Sequence, residues 1–521
     1  MHHGAPRSQN RAQSREARWL SVHRADGEIH ARGCPTATLG HPLPRPGRVE
    51  GVFAHWTWDG TRVTAGTDRY GMQPLFYWAD EERLVLAPEL RDVLALGAPR
   101  RWDDDALAVF LRLGHFVGDD TPFAAIRVLP PGGVLTWSPG APPRVRSRRP
   151  VTPPAPGITR TQAVDAYIDL FRSAVAARLP RAAYVLPLSG GRDSRHILLE
   201  LIRQQAPPRL TVTTGKFTPY DADVPVAGRL AAAAGVPHRY VDRAGSDLQA
   251  DLATNRLQQM CTTEGGWVLT LGRFLSTRTP LTYDGLAGDA LSQDPHVYFP
   301  PVHDRRRLAT ADGLAGWIIG ATGLSPLLPH LLRPERLRRW SLERALARLA
   351  TETARHLDAA IPLLSYVFWN RTRRAISLHP VRVIGDGGLP VHLPYLDHDL
   401  FDLLTALPEQ VFADGRLHTE VISRAYPRYA HLPYAEGPMR HGPRVALARA
   451  RYLRDLLRRA TDSRRARWRG HDGMLPHLLR GAGRGPRLHA IDRMAPYAVY
   501  LTQLAELTAR PGPVGPPPPA R

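Results

Sequence analysis

The chain has 521 residues, room for roughly two to four domains, which excludes a single small binding module. Apolar residues make up 43% and charged residues 22%, so a sizeable core can form and the composition is not that of a disordered chain. A net charge of +21 would ordinarily point to a polyanionic partner; yet of 69 basic residues only Lys216 is lysine, and Ala, Gly and Pro are abundant, as GC-rich coding produces. We therefore expect no nucleic-acid partner.

Cys34 and Cys261 are too few for a disulfide framework or a four-ligand zinc site, which fits a reducing cytoplasm. Met1 to Arg18 lacks an apolar core of signal-peptide length. The uncharged stretch from Gly313 to Leu332 is broken by Gly316, Gly320, Gly323, Pro326 and Pro329, and reads as buried helix and loop, not a transmembrane segment.

In chain order, residues 51–137 read as antiparallel sheet: Val52 to Trp58, a hairpin turn at Asp59-Gly60, Arg62 to Ala65, Leu75 to Trp78, and Leu84 to Ala87 after a polar turn. Residues 138–158 hold seven prolines and two glycines, the first domain boundary. Beyond it the apolar period becomes helical at Val164, Tyr167, Ile168, Phe171 and Val175, with Pro180 as the stop. A strand from Ala183 to Leu188, a helix from Asp193 to about Gln204, a strand from Leu210 to Thr214, a helix from Asp223 to Ala234 and a strand from His238 to Val241 follow. This alternation predicts an α/β fold with a doubly wound parallel sheet whose ligands sit outside the carboxyl ends of its strands. The rest, to about residue 508, reads as mainly helical, and 509–521 as a disordered proline-rich tail.

The sharpest motif is Leu188-Ser189-Gly190-Gly191-Arg192-Asp193-Ser194, set between strand and helix. Two glycines let the backbone turn closely around an anion, two serines add hydroxyls, and the helix N-terminus supplies free N–H groups, which together make a phosphate cradle. No Gly-Lys-Ser/Thr follows, so it is not the common P-loop.

This loop resembles that of the ATP pyrophosphatase superfamily, and within it the chain is similar to the asparagine synthetase-like family. The narrower resemblance rests on the segments Val52 to Asp59, Asp68-Arg69-Tyr70-Gly71-Met72-Gln73-Pro74-Leu75-Phe76-Tyr77, Ala87 to Leu90, Asp284-Gly285-Leu286-Ala287-Gly288-Asp289 and Pro394-Tyr395-Leu396-Asp397-His398. These stand in the family's order and cover about residues 51 to 427. The resemblance implies a class II glutamine amidotransferase-like, Ntn-hydrolase-like β-rich domain at 1–137 and an ATP-binding synthetase domain at 159–437. It also implies ATP held by Leu188, Ser189, Gly190, Gly191, Asp193, Ser194, Asp284 and Gly285, with Thr214 and Gly215 on the adenine side. Asp193 and Asp289 would share Mg²⁺ on the triphosphate, since oxygen-only ligands suit that ion.

The chain also departs from that family. Its glutamine-hydrolysing members carry cysteine directly after the initiator methionine, with the free α-amino group as base. Here His2 and His3 follow Met1, Cys34 has no free amine, and the Asn-Gly-Glu segment that holds glutamine is missing. We expect the first domain to be degenerate and without glutaminase activity. Leu286 stands where asparagine synthetases have glutamate and β-lactam synthetases tyrosine, and leucine cannot accept a proton. The family's late lysine is absent; Arg416 or His418 are the candidates to replace it, with His418 the better acid or base and a surface position its plainer reading.

The expected function is adenylation of a small-molecule or peptide carboxylate and amide formation with ammonia or an amine. A tethered amine, as in lasso-peptide macrolactam cyclases or β-lactam synthetases, would need less help from a base. The alternatives are a catalytically silent nucleotide-binding scaffold and a tRNA-modifying enzyme; the Asp68 to Tyr77 segment argues against the last. Within 438–508, Arg440 to Arg487 holds 14 arginines against three aspartates. Leu453, Leu456 and Leu457 oppose Arg451, Arg454, Arg458 and Arg459 at helical spacing, which reads first as a solvated helix and otherwise as a dock for an acidic peptide, a carrier or a membrane surface.

Overall fold

The computed structural model describes residues 18–147, 157–215, 222–243, 246–292, 308–412, 414–435, 450–456 and 485–509, with positions 149, 152, 154, 155, 447 and 458 between them. Lys216, most of the arginine-rich stretch and the tail lie outside the described residues.

Ten strands form two antiparallel sheets. β1 (Leu20–Ala25), β2 (Glu28–Gly33), β3 (Thr36–Arg45), β4 (Arg48–Trp58), β5 (Val63–Thr67), β6 (Phe76–Ala79), β7 (Arg83–Ala87), β8 (Arg127–Val128), β9 (Val134–Trp137) and β10 (Arg144–Arg146) assemble in the orders β2-β1-β7-β6-β8 and β10-β9-β5-β4-β3. The period of two explains their packing. Along β4, Ala54 and Trp56 are buried while His55 and Thr57 are exposed, and the inward set joins Val22, Leu39, Leu84, Leu86 and Leu135 in one core. The buried Trp56 and Trp137 indoles donate to the Cys34 and Asp80 carbonyls, so neither ring leaves an orphan N–H.

Strands β1 to β3 precede residue 51, where the sequence reading starts its sheet. Their signal is Asp26-Gly27, with φ of 53° and 82°, a hairpin turn of the primed type. The proline-rich stretch is also not pure linker: Arg144–Arg146 pairs with β9 as an edge strand, a position where nearby prolines cost no ladder bonds.

Helices α1 (Leu90–Ala95) and α2 (Asp104–Leu113) are inserted between β7 and β8, and α3 (Arg160–Ala176) opens the second part with a Thr159/Gln162 capping box. Its expected apolar residues, Val164, Tyr167, Ile168, Phe171 and Val175, are all buried. Next come β11 (Val185–Pro187), α4 (Asp193–Arg203), β12 (Leu210–Thr213), α5 (Asp223–Ala233) and β13 (His238–Tyr240), the strands parallel and in sequential order. A second parallel pair, β14 (Thr282–Tyr283) and β15 (Val391–His392), stands beside β11. The molecule is thus a mixed α/β protein, its parallel sheet represented by three strands and a separate pair.

Helices α6 (Asp247–Leu257), α7 (Val268–Ser276) and α8 (Gly288–Ser292) belong to a largely helical remainder. The stretch around Gly313 to Leu332 forms Ala311–Thr322 and Ser325–Leu331, bent by 56°, with Leu314, Ile318, Leu328 and Leu331 in the core. No single helix among the described residues is long and apolar enough to cross a membrane. In the basic region, Leu456 is buried and Arg454 exposed, and the helix Gly485–Ala509 buries Met494, Val499, Tyr500 and Leu504.

Candidate active site

The motif loop runs from β11 into α4. Gly190 N–H donates to Asp223 Oδ1 (2.9 Å), Gly191 N–H to Ser189 Oγ (3.1 Å) and Ser189 N–H to Ser194 Oγ (3.0 Å), so the turn is built in advance by its own hydroxyls and by Asp223. Helix α4 has no side-chain cap at Arg192, which leaves its first-turn N–H groups for an anion. A strap covers the loop: Arg195 donates to the Leu432 and Pro433 carbonyls, its guanidinium lies 3.8 Å from the Tyr434 ring centroid, and Ala435 N–H donates to Gly190 O. A Cβ on Gly190 would stand 2.6 Å from that of Ala435, so glycine is needed there for close approach.

The second loop, Asp284 to Asp289, leaves β14 and enters α8. It folds over Asp193 so closely that a Cβ on Gly285 would lie 2.4 Å from Asp193 Cβ, and one on Gly288 2.7 Å from its Cγ. Asp284 accepts Leu286 N–H at 2.8 Å, and Ala287 holds φ 74°, a left-handed conformation that costs a non-glycine residue about 1 kcal/mol or more. Asp193 accepts the Asp289 N–H, but burial first, and then the Asp289 and Asp284 charges, raise its carboxyl well above the usual range, Arg192 offsetting them in part. Among the described residues its buried Oδ1 has no hydrogen-bond partner. Asp284 is pushed up to about 6, chiefly by burial.

Both loops open on a cavity of about 760 Å³, within the range of small-molecule sites. Leu188, Ser189, Asp193, Ser194, Thr214, Asp284, Gly285 and Asp289 line it; Gly190, Gly191 and Gly215 do not. Thr214 Oγ1, like Asp193 Oδ1, is buried and has no hydrogen bond among the described residues, and Thr214 is only 6% exposed. A buried polar atom without a partner is costly, and both of these belong to residues expected to touch nucleotide. Among the described residues no group of three His, Cys, Asp or Glu could hold a metal ion alone. The Asp193 and Asp289 oxygens fit a cation that takes its remaining ligands from phosphate and water, the habit of Mg²⁺.

The model of the asparagine synthase family matches residues 166–471 of the 521. The chain belongs to the asparagine synthase family. A glutamine amidotransferase domain model matches residues 44–144. No curated protein matches the chain. ATP-dependent amide formation is the chemistry of an asparagine synthase domain, and ATP its cofactor.

Against that family background, two expected site residues stand elsewhere. Arg416 is exposed and begins the helix Leu417–Ala425, its N–H on Asp414; it does not line the cavity. His418 is not a surface histidine as its polar flanks imply, but fully buried. It also does not line the cavity. It sits behind Asp193, with Nδ1 3.4 Å from Asp193 Oδ1 and 3.1 Å from Ser292 Oγ, and Nε2 3.2 Å from both His196 Nδ1 and the Tyr395 hydroxyl. Burial, then Arg192, lowers it to about 3, so it is neutral and cannot supply a cation. The helical period of Leu417, His418, Val421 and Ile422, all buried, is the signal for this inward position.

Among the cavity residues that sequence reasoning misses are four with polar or aromatic groups. Glu264 and Trp267 precede α7, Arg371 lies on the wide π-type turns Val367–Ile376, and Asp223 opens α5. Arg371 is the one arginine on the cavity wall among the described residues, with its Nη2 3.6 Å from Glu264 Oε2. The Glu264-Gly265-Gly266 turn before an apolar helix is a signal for the first of these; Arg371, in a run of arginines, carries none. Leu286 also lines the cavity and is 4% exposed, an apolar piece of its wall.

Proposed function

We propose that this protein adenylates a small-molecule or peptide carboxylate with ATP and Mg²⁺, releases pyrophosphate, and transfers the acyl group to ammonia or an amine with loss of AMP. The observation that carries the proposal is that one cavity beside an uncapped helix N-terminus is lined by two residues, Asp193 and Thr214, each with a buried side-chain oxygen that has no hydrogen bond among the described residues. Ser189, Ser194 and the first turn of α4 bind phosphate, Asp193 and Asp289 hold the cation that screens the triphosphate, and Thr214 serves the nucleoside end. In place of the expected Arg416 and His418, Arg371 faces the charge that develops at the reacting phosphate and acyl group. Glu264 orients that guanidinium and is the carboxylate nearest in role to the missing proton acceptor at Leu286. With so little base machinery, an amine held close by binding suits the site better than free ammonia, which favours a tethered or peptide amine, as in macrolactam or β-lactam closure.

The first domain acts without glutaminase chemistry. The Asn-Gly-Glu segment is missing from the sequence, and the Cys34 thiol donates to the Thr36 carbonyl at 3.0 Å. Leu286 alone favours a second reading, a silent nucleotide-binding scaffold.

One experiment separates these readings: pyrophosphate and AMP release from MgATP, screened over aspartate, amino-acid analogues and peptides, with glutamate release from glutamine followed in parallel. Acid-dependent pyrophosphate without glutamate supports the ligase. Tight ATP binding with no turnover supports the scaffold, glutamate release overturns the view of the first domain, and failure to bind ATP ends both nucleotide readings.

A further inference from the structure

We propose that the N-terminal sandwich sets the geometry of the nucleotide cavity from behind, with Glu50 as a positioning residue that acts through Arg178 on the strand presenting the Asp284 to Asp289 loop. The proposal rests on the reading of the cavity as the ATP site.

Glu50 lies on β4 with its side chain 0% exposed and accepts from Arg178, itself 3% exposed, at 2.8 Å. Arg178 also reaches Asp397 at 3.2 Å, the residue that caps the helix His398–Ala406 by accepting Asp399 N–H. Both carboxylates therefore share one guanidinium deep in the seam between the two parts of the chain. The backbone carbonyl of the same Arg178 accepts the Tyr283 hydroxyl, and Tyr283 immediately precedes Asp284. A second line of contact runs beside the first. His41, on β3, meets His392 edge-on at 5.5 Å; the His392 ring lies 5.2 Å from that of Tyr283, and its carbonyl accepts Asp284 N–H at 3.0 Å.

The strands that receive these contacts cannot place themselves. β14 and β15 have two residues each, and so short a ribbon is not stable by itself. Their position is borrowed from what packs behind them: Tyr283, completely buried, tied to Arg178 and flanked by His392. A buried ion cluster tolerates little displacement, because a carboxylate that loses its guanidinium stays buried and unpaired. The cluster thus transmits one geometry from β4 to a loop whose Asp289 N–H is hydrogen-bonded to Asp193. This gives the first domain a task that needs no glutamine chemistry.

Calorimetric titration of MgATP into the full chain tests the proposal, since stoichiometry reports the fraction folded and the dissociation constant reports the site. Glu50→Gln keeps shape but weakens the hold on Arg178, Tyr283→Phe removes one hydroxyl of the link, and Asp399→Asn breaks only the outer pair with Arg48, where Asp399 is 51% exposed. We expect unchanged stoichiometry for all three, about tenfold weaker ATP binding for the first two, and wild-type affinity for the third. Wild-type affinity in Glu50→Gln and Tyr283→Phe, or reduced stoichiometry with unchanged affinity, would show a merely structural seam and overturn the brace while leaving the ATP site intact. If Glu50→Gln does not fold, Tyr283→Phe decides alone. A wild-type chain that takes up no MgATP overturns the site, and the brace with it.

Discussion

Two carboxylate clusters in this molecule, one at the seam and one in the cavity, are treated in opposite ways. At the seam, Glu50 is met by Arg178 and Arg48, and Asp397 by Arg178. In the cavity, Asp193 meets a backbone N–H, a neutral histidine and two further carboxylates whose charge Arg192 offsets only in part, and among the described residues one of its oxygens has no hydrogen bond. The chemistry is the same, but the seam carboxylates are closed off, Glu50 at 0% and Asp397 at 2% exposed, whereas Asp193 on the cavity wall is 22% exposed, and their partners differ. A cluster that closes on itself holds structure, whereas one that stays electrostatically open waits for a cation and a phosphate.

The comparison makes predictions of decreasing size. The largest is for Asp193→Asn: pyrophosphate formation should fall by at least about a hundredfold, while the melting temperature without ligand rises, because a carboxyl pushed upward by its neighbours is replaced by a neutral group. A variant that loses stability would place Asp193 with the structural carboxylates instead. Arg178→Met should do the reverse at the seam, costing about 3–5 kcal/mol in denaturant unfolding because Glu50 and Asp397 stay buried without their guanidinium. Gly285→Ala, whose methyl would stand 2.4 Å from Asp193 Cβ, should cost about 1–3 kcal/mol and weaken MgATP binding measured by calorimetry; unchanged binding would mean that the second loop does not define the site.

The smallest effect is on pH dependence. Burial lowers His41, His115, His392 and His398 to about 4, so the folded state refuses protons that the unfolded chain binds near 6.5. Their stability is whole above that value and is lost as pH falls towards 4. Asp68 and Asp284, raised to about 6, act in the opposite sense: the folded state keeps their protons longer, and stability declines as pH rises from 3.8 to 6. Between pH 6.5 and 6 the histidines dominate, so the urea midpoint should drop as pH is lowered from 7.5 to 6. A midpoint that rises over that range would mean the carboxyls dominate.

Much of this architecture was legible because it is local. A strand, two glycines and a capped or uncapped helix follow from residues within reach of one another, and the elements from β11 to β13 lie within a residue or two of their expected ends. Asp193 and Asp289 lie next to one another, the Asp289 N–H on the Asp193 carboxylate. What sequence alone could not reveal depends on distant packing. His418 looks like a surface residue until the helix Leu417–Ala425 turns its apolar face, and the histidine with it, against α3. Arg371 becomes a cavity residue only because Val367–Ile376 winds wide, and no residue type in that run announces it. Tyr70 is similar: read as part of a family segment, it packs against Phe368 and Phe401 from the other part of the chain, and no periodicity near it shows that.

The strap over the motif loop bears on how the protein is made. Arg195 is clasped by carbonyls 237 and 238 positions further along the chain, so a nascent chain that has emerged only through β13 carries the glycines and the helix but not their cover. The nucleotide pocket reaches its final form late in synthesis, when the segment around Tyr434 leaves the ribosome and seals a turn whose own residues were complete long before.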